Sequence, residues 1–456
     1  MYEIKAKQAL LPDGWGSDVA IVVGDDGRID SVTPGAASGP ATHDLVLPAQ
    51  TNLHSHAFQR AMSGLTEARG PDPRDSFWTW RRLMYRFLDQ LDPDQVQVIA
   101  SLVYMEMLEA GYASVAEFHY LHHDVGGRPY DDLAEIAGRI TAAATETGIG
   151  LTLLPVLYSN GGCDGRALQG GQRRFGNDLD QFLALHEKSA ALIGKAADDY
   201  SIGVAPHSLR AVSTEALREL VTGSAEKSPI HMHLAEQVAE VEEVEAYLGA
   251  RPVEWLLENH DVNDRWCLIH VTQMKDHETL GLAATGAVAG LCPITESNLG
   301  DGIFEGTTYL PAGGSFGVGS DSNVHISLFH ELTTLEYSQR LRDRSRAALA
   351  TPEKSTGRVL YEESARGGAQ AGGRRSGQIK AGDWGDLIGL STDTPALAGR
   401  GSDQLLDSLL FSGQGGNAIT DVWSAGRHMV KNGRHALRDR IVADYVALMK
   451  SLQLEI

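Results

Sequence analysis

Leu47-Pro48-Ala49-Gln50-Thr51-Asn52-Leu53-His54-Ser55-His56 is a short β-like run that closes on two histidines two positions apart. Side chains at i and i+2 share one face of a strand, so a strand here aims both imidazoles the same way. Two converging neutral imidazoles make half of a divalent transition-metal site, and the other half must come from elsewhere in the chain. The pair alone is weak: with 17 His in 456 residues, random placement yields about 0.6 His-x-His pairs, so context has to carry the reading.

Moving outward, seven further β-like runs follow at 113–118, 150–157, 201–206, 229–234, 266–271, 287–292 and 315–320, separated by helical patterns. The helix before the second run has Asp92 to cap it, Pro93 at its first position, apolar spacing over 95–110 and Gly111 to end it. Another spans about Glu236 to Leu248 and stops at Gly249. Eight apolar strands, each followed by a helix, predict a buried parallel sheet, and eight such units close into a (β/α)8 TIM-like barrel. An open doubly wound sheet is the alternative. The barrel is favoured because His54, His56, His233, His270 and Asp321 all fall at or near C-terminal strand ends, where barrel enzymes assemble their sites.

The two ends of the chain read differently. Residues 1–46 alternate in strand fashion around a turn at Asp26-Gly27, and short strands recur at 386–390, 421–423 and 428–430. Residues 1–46 and 377–456 are therefore expected to form a composite small β-sandwich domain, with the barrel over 47–376.

Composition narrows the partners. Lys+Arg 39 against Asp+Glu 60 gives a net charge of −21, a field that repels phosphate backbones and anionic membrane surfaces. Nucleic acid and membrane are not expected partners, and an anionic small molecule needs a buried Arg to overcome the field locally. Cys163, Cys267 and Cys292 are odd in number and widely spaced, which argues against a disulfide framework or zinc ribbon. The start Met1-Tyr2-Glu3-Ile4-Lys5 carries no basic and then apolar leader, and no stretch approaches the roughly 18 apolar residues of a span. Cytoplasmic residence is the expectation.

Three imidazoles and a carboxylate with an open position describe a catalytic metal site rather than a structural one. At this point the chain resembles the amidohydrolase superfamily, over nearly its whole length. The resemblance rests on His54-Ser55-His56, on His233, His270 and Asp321, and on the return segment Gly377-Gln378-Ile379-Lys380-Ala381-Gly382-Asp383. It implies His54, His56, His233 and Asp321 as ligands of one divalent metal ion, with zinc expected. The fourth strand ends Ala205-Pro206-His207-Ser208, without the lysine that bridges two ions in binuclear members.

Longer strings are similar to the branch of that superfamily that deiminates N-formimino-L-glutamate in histidine degradation. They are His54–Met62, Ser76–Arg81, Glu117–Tyr120, Ala205–Arg210 and His231–Gln237. That resemblance implies Glu236, His270 and Asp321 as catalytic groups, with the assignment of individual proton transfers open. It implies Arg81 and Arg210 as carboxylate donors, with Gln59, Tyr120 and His207 as further substrate contacts, and a homodimer. Two other readings stay open: a nucleobase or nucleoside aminohydrolase, and a catalytically silent metal-binding barrel. The long connection from Ala57 to Leu91 is expected to be a lid or a subunit contact. His122-His123 is expected to be solvated loop.

Overall fold

The computed structural model describes residues 1–36, 39–67 and 77–452, apart from the side chains of residues 77–79, 81 and 82. The chain begins with β1 (Tyr2–Leu11), β2 (Gly14–Val23), β3 (Ile29–Thr33) and β4 (His43–Pro48). At Ala49, whose N–H donates to the Asp386 carbonyl at 2.9 Å, it crosses into a second architecture. There follow β5 (Gln50–Ser55), β6 (Tyr112–His119), β7 (Gly150–Leu157), a fourth strand broken into β8 (Ser201–Ile202) and β9 (Ala205–Pro206), β10 (Ile230–Leu234), β11 (Trp266–His270), β12 (Val288–Leu291) and β13 (Ser315–Val318). Finally β14 (Leu387–Leu390), β15 (Ile419–Ser424), β16 (Arg427–Lys431) and β17 (Arg434–His435) return to the first sheet. Its order is β17-β16-β15-β14-β4-β1-β2-β3, so the two chain ends meet where β4 pairs antiparallel with β14.

Consecutive strands of the middle section pair in parallel, within two arcs, β5 to β8 and β10 to β13. Two bridges join the arcs into a ring: Val204 with Ile230, and Ser55 with Asp321. This is the expected (β/α)8 barrel. β6 and β7 are buried along their whole lengths, as strands covered on both faces must be. The seam between first and eighth strands is tight enough to require glycine. A Cβ on Gly319 would lie 2.6 Å from the His54 nitrogen; outside the barrel, where a helix packs on β13, one on Gly367 would lie 1.9 Å from the Phe316 carbonyl oxygen.

The helices that matter for the site are α1 (Phe77–Leu88), α2 (Pro93–Glu109), α3 (Val238–Leu248), α4 (Pro293–Leu299), α5 (Thr356–Ala371), which carries Gly367 onto β13, and α6 (Arg438–Ser451). Asp92 and Gln95 form a reciprocal capping box at the start of α2, satisfying two otherwise orphaned N–H groups. Gly249 ends α3 in the left-handed region at φ 79°. α6 lays Ile441 against Leu102 and Met105 of α2.

The two architectures are tied by buried charge. Arg374, just after α5, donates to Asp386 at 2.7 Å and to Asp199 at 3.0 Å, and Arg427 donates to the same Asp199 at 2.8 Å. Removing one member would leave its partner charged and buried, which typically costs about 3–5 kcal/mol. No described helix is long and apolar enough to cross a membrane.

Candidate active site

The strand ends on one rim of the barrel bring His54, His56, His233 and Asp321 together, with one possible ligand atom of each within 4.8 Å of the others. His54 ends inside β5, His56 lies one residue beyond it, and His233 is in β10. Asp321 sits three residues past β13, at the bridge with Ser55. Its Oδ1 is 3.3 Å from His56 Nε2 and 3.5 Å from His54 Nε2, while His54 Nε2 and His233 Nε2 are 3.1 Å apart.

The tautomers of His56 and His233 follow from the far side of the ring. His56 Nδ1 is 3.0 Å from the Phe118 carbonyl, and His233 Nδ1 is 3.2 Å from the His207 carbonyl. A carbonyl only accepts, so both Nδ1 atoms carry hydrogen and both Nε2 atoms present lone pairs inward. Burial, with repulsion from neighbouring imidazoles, lowers all three histidines, His54 to about 3. Burial raises the Asp321 carboxyl, but the hydrogen bond from His54 and the surrounding imidazoles outweigh it, leaving Asp321 below the usual carboxylate range. Three neutral imidazoles, two of them with lone pairs fixed inward, beside an ionised carboxylate oxygen are the donor set a borderline divalent cation takes, and these four residues fit one.

The backbone around this group is strained. Ala235, His270, Val271, Asp321 and Asn323 all have positive φ, between 45° and 73°, each costing of order 1–3 kcal/mol for a non-glycine residue. Hydrogen bonds across the rim hold them: Val271 N–H to Leu234 O at 3.0 Å, Asp321 N–H to His54 O at 2.9 Å, and His56 N–H to Asp321 O at 3.0 Å. The Asn323 amide donates to Ser55 Oγ and to the carbonyls of His56 and Asp321.

Beside the metal group lies a second set with opposite electrostatics. His270 ends β11 with Nε2 at 3.8 Å from Glu236 Oε1 and 4.0 Å from Asp321 Oδ2, and Nδ1 at 3.3 Å from Glu296 Oε1. Burial would neutralise this ring, but the carboxylates of Glu236, Glu296 and Asp321 overcome it and hold His270 above the ordinary histidine range. Burial, reinforced by Glu240, pushes the Glu236 carboxyl up against the pull of His270 and Arg210. Glu236 precedes α3 rather than standing in it, and its backbone N–H donates to Glu240 at 3.0 Å.

The cleft over these groups is lined by Gln59, Tyr120, His207 and Arg210 together with Trp80, Met84, Tyr85, Tyr158 and Phe175. Gln59 donates to the Tyr120 hydroxyl at 2.6 Å. Arg210 is four residues beyond β9 and 6% exposed. Arg81 lies on α1, and its side chain is outside the described residues. The Ala57–Leu91 connection contains α1, which contributes Trp80, Met84 and Tyr85 to this wall.

One expectation is corrected. His122 and His123 are buried, not solvated, each 1% exposed. Their N–H groups both donate to the Arg174 carbonyl, and their Nε2 atoms donate to Val156 O and Gly176 O at 2.9 Å. Buried carbonyls give each of the two rings an acceptor for its Nε2–H away from water.

Several groups were not singled out from the sequence: Glu117, Glu240, Glu296 and Asp301, all buried. Glu240 stands one helical turn after Glu236, and Glu296 follows Cys292-Pro293 at the start of α4. Both patterns are common to any helix start, where a carboxylate favours the dipole.

Residues 45–429 match the amidohydrolase family, and residues 1–43 match the formimidoylglutamate deiminase HutF, N-terminal domain. A formimidoylglutamate deiminase of Pseudomonas aeruginosa is 47% identical over 455 residues, 99% of this chain and 100% of its own. The crystal structure of an amidohydrolase from Brucella melitensis, also 47% identical, superposes with a TM-score of 0.94 over 99% of each chain. An adenosine deaminase from Xanthomonas campestris with bound zinc shares the fold at 20% identity, with a TM-score of 0.81 over 99% of this chain and 98% of its own. The chain belongs to the amidohydrolase family, among its formimidoylglutamate deiminases.

Proposed function

We propose that this chain hydrolyses N-formimino-L-glutamate to N-formyl-L-glutamate and ammonia, with one divalent ion, expected to be zinc, held by His54, His56, His233 and Asp321. The observation that carries the reading is a buried guanidinium, Arg210, in one cleft with Glu236 and His270, in a chain 47% identical along its length to a formimidoylglutamate deiminase. A protein of net charge −21 needs such a cation to receive a dicarboxylate. Arg210 offers a planar fork matched to a carboxylate, with Arg81 proposed for the other. Gln59, Tyr120 and His207 supply further polar contacts.

When bound, the ion is a Lewis acid that lowers the pKa of water toward about 7, so that hydroxide is available near neutrality. The residues do the rest. Asp321, with its Oδ2 facing His270, accepts the proton that water gives up. Glu236 binds the cationic formimino group and so aligns its carbon for attack. Addition of oxygen there makes a tetrahedral carbon bearing both nitrogens. Glu236 takes the hydroxyl proton of that carbon and delivers it to the terminal nitrogen, the C–N bond to it breaks, ammonia leaves as the carbon–oxygen bond becomes the formyl carbonyl, and the ammonia carries off the proton held by Asp321. His270 Nε2 donates to the developing oxygen. The aromatic wall formed with α1 limits water during these steps.

The test is ammonia release from N-formimino-L-glutamate, guanine, adenosine and cytosine, with metal content measured on the same preparation. Release from the first compound alone, with one equivalent of metal, is expected. Faster release from a nucleobase or nucleoside would overturn the reading, and no release with full metal would favour a silent barrel. Cytoplasmic residence and a homodimer are parts of the same proposal, the latter checked by light scattering.

A further inference from the structure

One buried carboxylate beside His270 has no part in those steps. Glu296, on the first turn of α4, is 5% exposed. Its Oε1 accepts the Cys292 N–H at 2.8 Å and lies 3.3 Å from His270 Nδ1. An oxygen already accepting from a backbone amide is an acceptor for the ring as well, so Nδ1 carries hydrogen and donates to it. The opposite nitrogen, Nε2, is the one that faces Glu236 and Asp321.

The ring needs such a hold. His270 and Val271 have φ of 73° and 45°, so the end of β11 leaves strand geometry where the imidazole must be aimed. His233 stacks on the ring at 5.6 Å with an interplanar angle of 24°. Stacking sets the plane of an imidazole but not which nitrogen points where. His56 and His233 have this choice made by backbone carbonyls; for His270 it is made by a side chain, which can be replaced.

We propose that Glu296 is a positioning residue for His270: by accepting from Nδ1 it fixes the rotamer, so that the Nε2–H is presented to the reacting oxygen. The inference rests on the deiminase reading. His270, Cys292 and Glu296 also have possible ligand atoms within 4.8 Å of one another, but Oε1 and Nδ1 are already paired, and no ion is needed to explain their approach.

The test is a double-mutant cycle in the metal-loaded enzyme, read as kcat and KM for N-formimino-L-glutamate. Glu296→Met keeps side-chain volume and removes the acceptor. It should lower kcat about 10- to 100-fold, the usual loss when the partner of a metal-site histidine is removed, with KM and metal content near their starting values. Glu296→Gln, whose amide oxygen can accept both hydrogen bonds, should retain most of kcat. In a His270→Asn background, Glu296→Met should add no further loss, because a residue acting only through another is silent once that one is gone. Independent, multiplying losses would overturn the proposal. So would a Gln variant as impaired as the Met variant, or an unchanged kcat in both. Should the Met variant fail to fold, the cycle run with Glu296→Ser, again without an acceptor reaching Nδ1, decides by the same outcomes. If the unmodified enzyme releases no ammonia from this substrate, the deiminase reading fails instead.

Discussion

The two sides of the cleft are built from the same kind of part, side chains at the ends of parallel strands, yet they are opposite in electrostatic character. On one side His54, His56 and His233 are driven neutral by burial and mutual repulsion around a single ionised carboxylate. On the other, His270 is held up by three carboxylates while burial pushes Glu236 and Asp301 toward their protonated forms. The lesson is that strand-end geometry brings residues together, whereas the count of buried acids nearby decides whether they bind a cation or handle protons.

The largest expected effect comes from breaking the first side. His56→Ala should abolish both metal and turnover, since only three of the four donors remain. His122→Ala should spare both, despite the sequence proximity of His122 to the wall residue Tyr120. It should instead lower stability by about 1–3 kcal/mol, because the Val156 carbonyl loses its buried donor. Elemental analysis and denaturant unfolding separate the two outcomes. Metal retained in the His56 variant would mean that the ligand group is misassigned.

Breaking the second side should leave the first intact. Glu236→Gln is expected to keep its metal while kcat falls by about two to four orders of magnitude, the range for losing a positioned proton donor. A variant that merely melts earlier with full turnover per folded molecule would make Glu236 a structural residue. Arg210→Met addresses the wall common to both sides. It should weaken transition-state binding of N-formimino-L-glutamate by roughly 2–5 kcal/mol, as when one member of a buried charged pair is truncated. An analogue lacking carboxylates should lose far less, and equal losses would remove carboxylate recognition from Arg210.

The first side is legible in the sequence and the second only partly so. His54-Ser55-His56 and His233 sit at the ends of strong strand patterns, and a ligand must be His, Cys, Asp or Glu, so few residue types compete for the assignment. The barrel is legible for the same reason: Asp92-Pro93 and Gly249 punctuate helices by local backbone chemistry that tertiary contacts do not override. Glu240, Glu296 and Asp301 are not legible, because their roles depend on which element packs across from them. Asp301 receives the Gln237 amide from another loop, and nothing near Asp301 in sequence announces it. His122-His123 misleads for the converse reason: a polar pair in a loop is usually wet, and only the fold shows the Arg174, Val156 and Gly176 carbonyls arranged around it.

Glu117 is the exception that sharpens the comparison, a proton-holding acid on the metal side. It stands in β6 opposite Ser55, between the two histidines in sequence, and its Oε1 accepts the Ala57 N–H at 2.7 Å. Burial raises its carboxyl from the ordinary 4.5 to about 7, against the lowering effect of that hydrogen bond. The folded chain therefore keeps this proton between about pH 4.5 and 7, where the unfolded chain has released it. Its contribution to stability is full below 4.5 and is lost as pH rises through 7, a change of about 3 kcal/mol if no other group compensates. Glu117→Gln retains an oxygen for the Ala57 N–H and removes the titration. Denaturant unfolding of both proteins with saturating metal should give the variant a stability advantage that grows by up to about 3 kcal/mol between pH 5 and pH 8. If the variant instead loses stability or metal at pH 8, the ionised carboxylate of Glu117 is needed near the ligands. The metal side would then depend on two buried charges rather than on Asp321 alone.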